Sequence, residues 1–181
     1  MPNKSSSLFI SPWFQLSNWK NLGVDWFINY SDLATQTTPI VCTAWVPVKL
    51  TNDWLGGQTL KTYKPTGIVE LWNTATNQFD LSGLSLGDEI SIRLNYTVTT
   101  SSNNQEFYSY MNMAIGWASY SIYDWIHFFK TAWTRQVGEV MTLYMGNSDT
   151  ITKPAEIMFS SDANATIKVN WFYISVKKGT I

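Results

Sequence analysis

Leu86-Gly87-Asp88-Glu89-Ile90-Ser91-Ile92-Arg93-Leu94-Asn95-Tyr96-Thr97-Val98-Thr99-Thr100 alternates apolar and polar side chains from Ile90 to Thr99. Ile90, Ile92, Leu94, Tyr96 and Val98 form one set; Ser91, Arg93, Asn95, Thr97 and Thr99 form the other. Successive side chains of a strand point to opposite faces, so this segment has one dry face and one wet face. A Gly-Asp turn opens it and Ser101-Ser102-Asn103-Asn104 closes it, the pattern of an antiparallel sheet with one face on a core.

Working outward, the same grammar recurs. Trp26–Tyr30, Ile40–Val46, Val48–Leu50 and Gly67–Trp72 read as strands. So do the alternating sets Met111, Met113, Ile115, Trp117 and Met141, Leu143, Met145. In the last strand Ile167, Val169 and Trp171 alternate, then Phe172, Ile174 and Val176 take over on the other parity, which is the mark of a β-bulge. Tyr123–Lys130 is the one stretch compatible with a helical turn or two. Roughly eight strands without alternating helices make an all-β antiparallel sandwich, and the jelly roll is the eight-stranded form of it. Residues 1–24 read as an N-terminal arm, broken by Pro2 and Pro12 but anchored by Phe9, Ile10, Trp13, Phe14 and Trp19; residues 25–181 read as the sandwich domain.

Composition narrows the function. The chain has 181 residues, enough for one domain that buries about two-thirds of its unfolded surface. Charged residues are 14% of it, against about 25% in an average domain, and Ser, Thr and Asn supply the polarity instead. The net charge is −1 with no basic cluster, which argues against nucleic-acid binding. No apolar run approaches the ~20 residues of a membrane span, and Met1–Ser7 has no apolar signal core behind it, so the reading is a soluble protein made in a cytoplasm, without a membrane. The lone Cys42 sits in an apolar run and reads as a small buried hydrophobe.

Chemistry has few places to reside. A Ser-His-acid or Cys-His arrangement would have to use His127, which lies among Ile126, Phe128 and Phe129 and reads as a packed strand histidine. One His and one Cys do not make a zinc site. A glycosidase needs two carboxyls about 5–9.5 Å apart, and Glu70, Glu89, Glu106, Glu139 and Glu156 are scattered along the sequence. Asp88 reads as an acceptor in its own turn, and Asn147-Ser148-Asp149 and Asp162-Ala163-Asn164 as turn-stabilising residues rather than calcium loops. The expectation is no catalytic residue, no cofactor and no metal. Of the ten tryptophans, Trp72, Trp117 and Trp171 fall in phase with apolar neighbours and read as core. Trp13, Trp19 and Trp54 are free for a ligand or a subunit contact, with Tyr63 beside Trp54 as the first glycan platform.

Several segments together resemble a family. Leu50-Thr51-Asn52-Asp53, Tyr63-Lys64-Pro65-Thr66-Gly67, Leu71-Trp72-Asn73 and Phe79-Asp80-Leu81 lead into Leu86–Arg93. Asn103–Glu106, Phe129–Ala132, Tyr144-Met145-Gly146 and Ser161–Asn170 follow. This order resembles jelly-roll virion proteins of tailed bacteriophages, used as capsid cement or decoration proteins, head fibres and tail-fibre tips. The resemblance implies a non-enzymatic virion protein that clamps adjacent capsid subunits, acts as a homotrimer and meets the major capsid protein or another virion protein. Phe9, Trp13, Phe14, Trp19, Trp54 and Tyr63 are the candidate contacts. The alternative it implies is a receptor-binding or carbohydrate-binding sandwich of a head or tail fibre.

Overall fold

A computed structural model describes residues 25–56, 60–66 and 68–179. The proposed arm, with Phe9, Trp13, Phe14 and Trp19, lies outside the described residues, as do Gly57 and Gly67. The chain forms an antiparallel β-sandwich of the jelly-roll kind. Its strands are β1 (Trp26–Ser31), β2 (Ile40–Cys42), β3 (Val48–Lys49), β4 (Trp72–Asn73), β5 (Gln78–Phe79), β6 (Glu89–Thr100), β7 (Gln105–Met113), β8 (Tyr120–Phe129), β9 (Thr134–Tyr144), β10 (Glu156–Ser161) and β11 (Ala165–Lys177). Two short helices, α1 (Ala34–Thr37) and α2 (Ser148–Thr152), interrupt them.

One sheet runs β1-β11-β6-β9, with β2 also paired to β11; the other runs β3-β10-β7-β8, and β4-β5 forms a small ribbon. The alternation in β6 does what its pattern requires. Ile90, Ile92, Leu94, Tyr96 and Val98 are all fully buried. They meet Phe107, Met111, Ile157 and Phe159 of the facing sheet in one core. Each fully buried side chain of this size contributes about 1.5–3 kcal/mol. The β4-β5 ribbon closes one end with Trp72, whose ring meets Phe79 and Phe172 edge-on at 4.8 and 5.1 Å. Its indole N–H donates to the Asn52 carbonyl (2.9 Å), so the buried polar edge is satisfied.

The expected bulge is present: the β11–β6 register slips between Val169 and Trp171. Other expectations need correction. Ile40–Val46 is not one strand, because the chain turns at Ala44-Trp45, with Trp45 at φ 62°, and passes from β2 in one sheet to β3 in the other. The crossing is held by Trp45 N–H on the Ser161 carbonyl (2.7 Å) and Ala44 N–H on Asn164 Oδ1 (3.0 Å). Ile68–Leu71 is irregular, since the Ile68 N–H bonds back to Pro65 and the Lys64 ammonium takes the Ile68 carbonyl. Tyr123–Lys130 is not helical: its Tyr, Trp, Ile and Phe side chains suit a pleated strand, and Tyr123–Phe129 belong to β8, paired with β7. Trp117 is 71% exposed rather than core, because β7 ends at Met113 and Ala114 and Gly116 turn the chain through positive φ. Trp171 lies on the outer parity of β11, since the bulge switches faces just before it.

Candidate functional site

Among the described residues β8 and β9 are edge strands of the two sheets, and His127 of β8 meets Glu139 of β9 across the sandwich. β9 carries Val137, Glu139, Met141 and Leu143 inward, and all four are buried. The Glu139 carboxylate is therefore inside. It accepts from Tyr96 Oη of β6 (2.7 Å), from Ser109 Oγ of β7 (2.7 Å to each oxygen) and from His127 Nε2 of β8 (2.6 Å). Four strands from both sheets thus converge on one carboxylate, and the half-buried His127 ring is its side toward water. Burial, then the Glu139 charge, holds the Tyr96 phenol well above its ordinary range, so it stays a donor.

A nucleophilic relay needs the hydroxyl on one imidazole nitrogen and the acid on the other. Here Ser109 and His127 Nε2 both bond to the carboxylate. Nor do the groups bonded to Glu139 include a second carboxylate. The geometry is that of a polar rivet between sheets. Chain proximity gave no hint of it, but phase did, because Glu139 is two residues before Met141 on the same parity and Ser109 lies between Phe107 and Met111.

On the other side of β8 the surface is apolar. Ile126 is 63% and Phe128 56% exposed on its outer parity, and the exposed Trp117 and Trp133 lie in the segments that flank the strand. β8 is ten residues long and, among the described residues, unpaired on its outer side, whereas the opposite edge strand of that sheet, β3, has two residues. A long apolar edge is a template for association.

The other residues singled out by sequence sit apart. Trp54 is half-buried, stacked on Tyr30 at 5.1 Å with the Lys61 ammonium 4.0 Å from its ring centroid. Tyr63 is exposed and packs on Phe27 (4.6 Å). Cys42 is fully buried, and burial pushes its thiol up. Asp88 accepts the Ser85 and Gly179 N–H groups (2.8 and 3.1 Å) and pairs with the buried Lys178 ammonium. Asn147 caps α2 through the Thr150 N–H (2.9 Å), and Asp162 takes the Glu106 N–H (3.0 Å). Among the described residues no group of three His, Cys, Asp or Glu is placed to hold a metal, and no helix is long and apolar enough to cross a membrane.

No family model matches the chain, and no curated protein matches it. Among solved structures it is similar to an Eiger TNF from S. frugiperda, at 6% identity and a TM-score of 0.53, over 87% of this chain and 94% of that one. That likeness is one of fold. Looser overlaps are with the PRD1 vertex protein P5 (14% identity, TM-score 0.39, 86% and 96% covered) and cowpea mosaic virus top component (10%, 0.32, 85% and 81%).

Proposed function

We propose that this chain is a non-enzymatic structural component of a bacteriophage particle, a capsid cement or decoration protein that clamps adjacent capsid subunits. The observation that carries the assembly part is the β8 edge, where Ile126 and Phe128 stand in water beside further exposed aromatics. The segment order that resembles phage jelly-roll proteins supports the virion part. The sandwich serves as a rigid block, its β8 edge packs against copies of itself in a closed trimer, and the arm anchors Phe9, Trp13, Phe14 and Trp19 engage the capsid.

The test is the mass of the full chain in solution, by size-exclusion chromatography with light scattering. A trimer is expected. Ile126→Lys with Phe128→Glu is expected to give a folded monomer, since buried apolar anchors at an interface are worth about 2 kcal/mol or more each. A wild-type monomer, or a trimer unaffected by both changes, overturns the β8 assignment. For the arm, deleting residues 1–24 is expected to leave the trimer intact but abolish co-sedimentation with capsids stripped of this protein. Undiminished co-sedimentation would remove the arm from the mechanism.

A further inference from the structure

The outer face of the other sheet, away from β8, holds a cleft that the assembly reading does not use. Because of the bulge, Asn170 and Trp171 are consecutive outward residues on β11, with Tyr173 two further on. Register then sets Asn29, Tyr173 and Arg93 in one cross-strand row and Ser31, Trp171 and Asn95 in the next. Asn29, Ser31, Arg93, Trp171 and Tyr173 line a cleft of about 340 Å3. Small-ligand sites span about 300–1,000 Å3.

Three features define what would fill it. Arg93 is exposed and makes no ion pair among the described residues, so the cleft holds a free guanidinium. Asn29 Oδ1 is buried with no hydrogen-bond partner among the described residues, a state that calls for a donor. Trp171 and Tyr173 supply apolar ring surface. On the neighbouring β9, Gly138 stands opposite Asn95, and a Cβ there would meet nothing nearer than Asn95 Nδ2 at 4.0 Å, so the approach is open.

We infer that this cleft binds an acidic sugar residue, its ring on Trp171 and Tyr173, its carboxylate on Arg93 and a hydroxyl donating to Asn29 Oδ1. Bare phosphate or a dicarboxylate would satisfy Arg93 but has no ring face to lay on Trp171 and Tyr173. A nucleic-acid strand would stack on the rings, but it needs a track of cations, and among the described residues Arg93 is the one cation lining the cleft.

The test is a titration of the full chain, followed by tryptophan fluorescence and calorimetry, with N-acetylneuraminic acid, D-galacturonic acid, lactose, inorganic phosphate and an oligothymidylate. At least one acidic sugar is expected to bind, with lactose and phosphate about tenfold or more weaker, since a charged hydrogen-bonded pair is at stake. Arg93→Gln, a change at an exposed position, is expected to lower that affinity about tenfold while leaving Tm unchanged. Trp171→Phe should retain part of the binding that Trp171→Ala loses. Absence of binding by both acids in the folded protein overturns the inference. So does equal binding of lactose, an Arg93→Gln variant that binds normally, or preferential binding of the oligothymidylate.

Discussion

Glu139→Leu lowers the stability of the folded chain by about 3–5 kcal/mol, the cost of removing one partner from a buried polar cluster. The reason lies in what remains. Tyr96 Oη, Ser109 Oγ and His127 Nε2 lose the oxygen they share, and each unsatisfied buried donor costs about 1–3 kcal/mol. His127 recovers some of this from water because its ring is half-buried. Heat denaturation at fixed protein concentration should show a fall in Tm on the order of 10 °C. Adding Tyr96→Phe and Ser109→Ala to Glu139→Leu should recover most of the loss, because the orphaned donors go with the acceptor. A single variant within about 1 kcal/mol of the parent would mean that water reaches the cluster.

Lys178→Met is the second large effect. The Asp88 carboxylate would stay buried with only the Ser85 and Gly179 N–H groups to balance its charge. A loss of about 3–5 kcal/mol is expected by denaturant titration, and Asp88→Asn in the same chain should return part of it. By contrast, Lys49–Glu156 (2.9 Å) and Lys61–Glu70 (3.4 Å) have lysines in contact with solvent and should each be worth about 0–1 kcal/mol. Additive losses from Lys178→Met and Asp88→Asn would show that the two groups do not act as a pair.

Much of the fold was legible because a sandwich writes its core into parity. β6 and the bulge of β11 follow directly from which residues alternate. Where the reading failed, a local turn outweighed an apolar run. Trp45 at positive φ breaks Ile40–Val46, and Ala114 and Gly116 carry Trp117 away from the core. β10, Glu156–Ser161, went unread although Ile157 and Phe159 alternate within it. The Glu139 rivet was half-legible: parity places Glu139 and Ser109 inward, but which inward groups meet is decided by the pairing of sheets far apart in sequence. The Arg93 cleft was less legible still. Its Trp171 looked like core until the bulge assigned it to the opposite face.

β11 is the last of the described strands to be made, yet it lies inside its sheet, with β6 on one side and β1 and β2 on the other. Trp26 must wait for Val176, and Ile40 for Ile167, before either finds its partner. At about 5–20 residues per second, the ribosome takes some 7–30 s to pass from β1 to β11. For about the last quarter of that time the apolar β8 has been made while β1, β2 and β6 still lack their shared neighbour. Folding of this domain is therefore timed by the arrival of its C-terminal strand. The same interval is when nascent copies are most prone to meet through β8 too early.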